Sequence, residues 1–522
     1  MPKLTIDNHQ VEVDDGATIL DAADKLGIEI PTMCFLRGYK SSTSCMLCVV
    51  RVNDSDRLLP ACGTIVQDGM KVESDSDQIR EARKAALELL LSDHAGDCIG
   101  PCQAACSAHM NIPLMIRQII AGNLRDAIVT VKKDIALPAV LGRICPKPCE
   151  QVCRRGQFDK AVSICLLKRY VADVDLQSKK PYLPTCKENR NKRVAVVGAG
   201  PTGLAAAYYL QIDGYNCTVF DDHEQPGGML RYGVLNEKLP ADILDAEIAL
   251  IEKLGMKFQG KSRVGPDLST KQLQKDFDAV LVAIGQTESD DVESMGLKTS
   301  STYGIEINRR TYETNLPGVF AAGAAVRKSK LAVRAVADGR EAALVIGQYL
   351  SGAQVTGPPY IFNNRIGKLQ EGEIERFMAD AGKTERLTPS PEGSGFTDDQ
   401  ASDEAARCMH CDCRKPVNCK LRQYAHQYGA KPTRYKGPRR SFVQQLQHKD
   451  VIYESGKCIN CGLCIQVASQ EGESLGLTFV GRGFDVRVAV PFDHSIEEGL
   501  KLAAKKCVKT CPTGALALRN NS

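Results

Sequence analysis

Tryptophan is absent from this 522-residue chain, and only 13 Phe and 15 Tyr are present. The aromatic platforms on which single-stranded nucleic acid stacks therefore have little to be built from. Neither sign of charge dominates, with 67 basic residues against 63 acidic ones. That balance gives no electrostatic case for a polyanion or an anionic membrane, and favours soluble protein partners. No apolar run is long enough to cross a bilayer. The start, Met1-Pro2-Lys3-Leu4-Thr5-Ile6, enters an alternating strand pattern without the apolar core of a secretory signal. The expected location is the cytoplasm. The length exceeds what a single core accommodates, so roughly three to five domains are expected.

What the chain has in excess is cysteine, 22 residues of it. A reducing compartment does not keep them as disulfides, and close C-x2-C spacings favour metal. They fall in groups at 34 to 62, 98 to 165, 408 to 419 and 458 to 511, with Cys186 and Cys217 apart. Polar stretches at 177–192 and 384–404 read as linkers.

Residues 1 to 75 read as short alternating strands, a helix over Thr18–Leu26 and a cysteine loop. Cys34, Cys45, Cys48 and Cys62 are spaced x10, x2 and x13, and four thiolates in such a loop suit a 2Fe-2S centre. A zinc ribbon pairs two C-x2-C knuckles, which this run lacks. The stretches I-P-T-M-C-F and S-C-M-L-C-V-V-R-V resemble the N-terminal ferredoxin domain of the large iron-sulfur subunit of respiratory complex I and of iron hydrogenases.

An Ala/Leu-rich helix over Glu81–Leu91 then leads to His94, Cys98, Cys102 and Cys106, with Cys145, Cys149 and Cys153 downstream. Both triplets have x3 spacing, so each presents sulfurs along one helical face. Asn111-Ile112-Pro113, Gly142-Arg143-Ile144-Cys145-Pro146 and Leu167-Lys168-Arg169 resemble the N-terminal domain of the glutamate synthase small subunit. That resemblance implies two 4Fe-4S clusters, one on Cys98, Cys102 and Cys153 and the other on Cys106, Cys145 and Cys149, each needing a fourth ligand. His94 stands where complex I-type chains place a ligand, and Cys165 lies near a ligand position of the glutamate synthase family. The plainer reading of His94 is a helix cap.

Lys192–Val197 reads as a buried parallel strand, followed by Gly198, Gly200 and Gly203 in G-x-G-x-x-G and by a helix over Leu204–Gln211. In that setting the glycines admit a pyrophosphate to the helix N-terminus, and Asp221, closing the next strand, suits a ribose hydroxyl. Gly227-Gly228-Met229-Leu230 and the L-P-G-V-F-A-A-G run ending at Gly323 match the other FAD signatures of the glutamate synthase small-subunit family. The resemblance therefore implies FAD. Where that family has an Asp against the flavin, this chain has Ala324. The family's second dinucleotide domain should follow Ala283-Ile284-Gly285, but only 32 residues, Gln286–Pro317, precede the next motif. A nucleotide-binding domain needs about 100. The expectation is an FAD domain without its own NAD(P)H site.

Cys408, Cys411, Cys413 and Cys419 lie close enough for one metal site, either a 4Fe-4S cluster or zinc in a structural knuckle. Cys458, Cys461, Cys464 and Cys511 resemble parts of a bacterial double-cluster ferredoxin, in which the last Cys of one run completes the other run's cluster. Ala468, Lys501 and Ala504 stand where the second cluster needs ligands, so one cluster is expected there.

The expected fold is multidomain α+β and α/β. It comprises a β-grasp 2Fe-2S domain (1–78), a helical domain with two 4Fe-4S clusters (79–190), a Rossmann-like FAD domain (191–355), a Cys-rich linker (356–440) and a ferredoxin-like 4Fe-4S domain (441–522). One 2Fe-2S cluster, three to four 4Fe-4S clusters and FAD are the expected cofactors. The resemblances imply an electron-transfer subunit of an anaerobic oxidoreductase. Its implied partners are an NADH-binding flavoprotein subunit of complex I type, a catalytic subunit for hydrogen, formate, aldehyde or a similar substrate, and ferredoxin. The alternatives are a self-contained NADPH-dependent reductase and a cluster-bearing scaffold with a vestigial flavin site.

Overall fold

The computed structural model describes residues 1–519 apart from Asp54, Pro266, Ser390, Glu392, Pro416 and Lys436. It divides into two compact units that do not follow chain order. The first comprises Met1–Gly100, Ile361–Asp380 and the chain from His410 onward; the second comprises Pro101–Tyr360 and Ala381–Met409. No helix among the described residues is long and apolar enough to cross a membrane.

In the first unit a five-stranded sheet runs in the order His9–Glu12, Lys3–Ile6, Met70–Glu73, Val49–Val52, Leu58–Pro60. Lys3–Ile6 and Met70–Glu73 are parallel, and the other neighbours antiparallel. Alternation puts Leu4, Ile6, Val50, Val52 and Val72 on one core with Ile19 and Leu20. Those two open the helix Ile19–Lys25, started by a Thr18/Asp21 capping box. Helix Asp77–Ser92 is fixed to this sheet by Arg83, which donates to the carbonyls of Val49 (2.9 Å) and Ser74 (3.0 Å). Farther along, Val451–Tyr453 and Leu516–Leu518 pair antiparallel, and the helices Leu463–Gln470 and Ala504–Thr510 pack on their apolar core.

The second unit combines short helices with a parallel five-stranded sheet, ordered Val319–Ala321, Ala279–Val282, Arg193–Val197, Asn216–Phe220, Lys257–Gln259. Helices Pro201–Ile212 and Ala332–Leu350 pack together over this sheet. Their close approach depends on Gly339, where a Cβ would strike the Thr202 carbonyl oxygen. The interval 286–317 contributes the short helix Ser289–Ser294 and two isolated bridge pairings, and no second sheet. Residues 384–404, polar enough to read as linker, instead end in the capped helix Asp398–Ala406. Glu404 is fully buried there, accepting from Ser163 N (2.8 Å) and Arg407 (2.8 Å).

Candidate functional site

Three groups of sulfurs form within the units. In the first, Cys34, Cys45, Cys48 and Cys62 are all buried. Cys48 and Cys62 sulfurs are 3.3 Å apart, and Ser41 Oγ donates to Cys62 Sγ at 3.0 Å. Shared hydrogen bonds pull Cys34 down to about 2, Cys45 and then Cys62 being its main partners. Cys62 holds Cys48 down, and the partners Cys45 and Cys62 are themselves raised. Four sulfurs this intimate are a donor set for soft metal.

Also in the first unit, Cys458, Cys461, Cys464 and Cys511 line one cavity with Tyr453 and Thr513. Burial disfavours the charged thiolate and raises Cys458 to about 11 and Cys461 to about 12. Cys507, one turn before Cys511, is fully buried against Val467, Ala468, Leu500 and Ala504.

In the second unit Cys106, Cys145, Cys149 and Cys165 share one core, and the buried ammonium of Lys168 lies among them. Burial presses Lys168 down, but Cys165, Cys145, Cys106 and Cys149, in that order, together hold it above its ordinary value. Its Nζ donates to Leu141 O at 3.1 Å. Cys165 is drawn down by Cys145 but raised by Cys149 and burial, ending at about 11. Glu150 ties the group together, accepting from Cys165 N (2.9 Å) and Arg386 (2.7 Å).

The remaining sulfurs are parted differently from their order in the chain. Cys98 lies in the first unit, with Cys411, Cys413 and Cys419, whereas Cys102, Cys153 and Cys408 lie in the second. Those last three pack against one core. Arg155, two residues after Cys153, is a fully buried guanidinium that donates to Asp159 (2.7 and 2.8 Å) and to the carbonyls of Gly382 and Arg407 (both 2.7 Å), the latter next to Cys408 in the chain. That hydrogen bonding holds Asp159 at about 2. Arg155→Met strands two carbonyls while Asp159 keeps Arg407 as a partner, so thermal unfolding should show a loss of about 1–3 kcal/mol. His94 is pushed down to about 3 by burial and then by Lys457, leaving a neutral imidazole.

The glycine motifs converge on the N-terminus of helix Pro201–Ile212. Gly198 has φ +105°, and a Cβ there would strike the Ala283 carbonyl. A Cβ on Gly203 would strike the Gly198 carbonyl oxygen, one on Gly228 the Gly200 backbone, and one on Gly323 the Thr202 hydroxyl. Asp221 turns one carboxylate oxygen to Ala199 N at 2.6 Å and the other to His223 N at 2.9 Å, bracing the loop. Met229, beside Leu230, is largely exposed. Such a bare-backbone cradle, with helix amides open, fits a dinucleotide pyrophosphate. The sequence did not reveal the buried charges Lys168, Arg155 and Lys457, since isolated basic residues usually mark solvated surface.

Three family profiles match: a 2Fe-2S iron-sulfur cluster binding domain over 2–77, dihydropyrimidine dehydrogenase domain II with its 4Fe-4S cluster over 79–180, and pyridine nucleotide-disulphide oxidoreductase over 164–339. The chain therefore carries a 2Fe-2S-type region, a 4Fe-4S-type region and a pyridine nucleotide-disulphide oxidoreductase-type region in succession. The chain is 36% identical over 240 residues to the NADP(+)-dependent formate dehydrogenase subunit beta of Moorella thermoacetica, covering 42% of this chain and 32% of that protein. It is 37% identical over 212 residues to the NAD-dependent dihydropyrimidine dehydrogenase subunit PreT of Escherichia coli (39% and 51%). It is 33% identical over 191 residues to the glutamate synthase [NADPH] small chain of Bacillus subtilis (36% and 38%). The chain thus spans between a third and about half of the lengths of these curated relatives.

Proposed function

We propose that this chain is a cytoplasmic electron-transfer subunit that relays electrons between partner subunits or ferredoxin through iron-sulfur clusters and one FAD. The observation that carries this reading is the combination of grouped, buried sulfurs with a single dinucleotide cradle. The five-stranded sheet and its cysteine loop support a β-grasp domain holding one 2Fe-2S cluster on Cys34, Cys45, Cys48 and Cys62. The sulfurs of Cys458, Cys461, Cys464 and Cys511 suit one 4Fe-4S cluster, and those of Cys106, Cys145, Cys149 and Cys165 another. Names of relatives that are subunits of larger enzymes support a partner that binds the terminal substrate.

Bound flavin supplies exchange of one or two electrons, the property that lets pairs be split into single steps. The chain's own residues supply the setting. Gly198, Gly200 and Gly203 bring backbone amides to the pyrophosphate, Asp221 fixes that loop, and Gly227-Gly228 packs the next turn against it. Lys168 supplies a fixed positive charge among four sulfurs, which favours the more negative, reduced state of whatever they hold. Lys168→Met is expected to lower that cluster's midpoint potential in an anaerobic redox titration. A unit charge at about 4 Å is worth about 4 kcal/mol at an effective dielectric near 20, and less farther out.

The interval 286–317 is too short for a nicotinamide-binding domain, which supports a flavin filled and emptied by clusters. Mixing the anaerobic chain with NADH or NADPH should leave the flavin spectrum unchanged, while reduced ferredoxin bleaches it. Direct bleaching by NADPH would establish a self-contained reductase instead, and purified chain without flavin would establish a cluster scaffold.

A further inference from the structure

Among the sulfurs left over from these three sites, neighbours in sequence are not neighbours in the fold. Cys98 and Cys102 are four residues apart yet belong to different units, whereas Cys98, Cys413 and Cys419 belong to one unit although about three hundred residues intervene. We infer that Cys98, Cys413 and Cys419 form a separate iron-sulfur site in the first unit, built from both sides of the inserted flavin unit, with the buried Lys457 ammonium as its counter-charge. This rests on the reading of the grouped thiols as cluster ligands.

The packing supports it. Cys419 lies in the same apolar core as Cys34, Cys45 and Cys461, and Cys98 packs against that core. The segment carrying His94 and Cys98 is held by Asn364, whose side-chain amide donates to the carbonyls of His94 (3.1 Å) and Gly96 (2.9 Å), while Cys98 N donates to Asn364 O at 3.1 Å. Ala95 N donates to Gly456 O at 2.8 Å, which sets that segment beside Lys457. The Lys457 stem then passes Gly96, where a Cβ would collide with its Cε. At Gly514 a Cβ would collide with Cys413 Sγ, and Lys457 Cδ is 3.9 Å from the same point. Two bare backbones thus make room for one cationic stem and one sulfur. The ammonium is closed off from water and paired with Glu454 at 2.5 Å.

A charged lysine is costly to bury unless negative charge faces it. Glu454 faces it on one side. A cluster with thiolate ligands, carrying net negative charge, would face it on the other. The counterpart in the second unit is the set Cys102, Cys153 and Cys408. This regrouping replaces a site on Cys98, Cys102 and Cys153 and a site on Cys408 to Cys419.

The test is additivity of iron loss in the full chain, purified anaerobically. Cys98→Ser, Cys413→Ser and Cys102→Ser should each lose about four iron atoms. The double variant Cys98→Ser/Cys413→Ser should lose about four, and Cys98→Ser/Cys102→Ser about eight. The reverse pattern, eight for the first pair and four for the second, overturns the regrouping, as does unchanged iron in Cys98→Ser. Should a serine variant lose its flavin and helical signal, aspartate variants, which keep an anionic ligand, are read by electron paramagnetic resonance. Cys98→Asp and Cys413→Asp must then alter the same resonance and Cys102→Asp a different one; any other pairing refutes the site. Wild-type chain without iron or sulfide would instead sink the cluster reading itself, whatever the grouping.

Discussion

Gly203→Ala is expected to yield a chain with its iron intact and its flavin gone. The added methyl group points into the carbonyl oxygen of Gly198, and that carbonyl has nowhere to retreat. Gly198 sits at φ +105°, and its own N–H is held by Phe220 O at 2.7 Å. Relief must come from shifting the start of helix Pro201–Ile212, the point at which amides meet the pyrophosphate. Flavin occupancy should fall at least about tenfold, a loss of only about 1.4 kcal/mol in binding. The clusters rest on other elements, so iron per chain should not change. Retained flavin would mean that the cradle is not the flavin site.

The second large effect separates two cysteines one helical turn apart. Cys511→Ser should cost about four iron atoms, because its sulfur lines the cavity with Cys458, Cys461 and Cys464. Cys507→Ser should cost none. Its sulfur is fully buried among aliphatic side chains and makes a weak contact with the Cys464 carbonyl at 3.6 Å. The hydroxyl that replaces it enters an apolar core, so some stability is lost, about 1–3 kcal/mol. Iron content and thermal unfolding, measured together, distinguish a ligand from a packed thiol.

The glycine-lined strand–turn–helix was legible because G-x-G-x-x-G between a buried strand and a helix admits few other folds. The helix begins at Pro201 rather than Leu204, since proline is tolerated in the first turn. The loop Cys34 to Cys62 was equally plain from spacing. What spacing did not carry was the division of Cys98 from Cys102. Local sequence order says nothing about where the chain goes after Gly100 and returns at Ile361 and His410. Residues 384–404 misled for a related reason. Their polarity suits a linker, but Glu404 and Arg386 spend that polarity on buried partners in the helical cluster region. Lys168 and Lys457 were invisible because a lysine's burial depends on anions brought to it by the tertiary fold.

The central claim is that these thiols exist to hold iron and sulfide. Anaerobic analysis of the native protein for iron, acid-labile sulfide and zinc tests it most directly. Four cubanes and one binuclear centre predict about 18 iron atoms and a matching amount of sulfide per chain. A count near 14 with one zinc would assign a single thiol group to zinc. Colourless protein with neither iron nor sulfide would contradict the account.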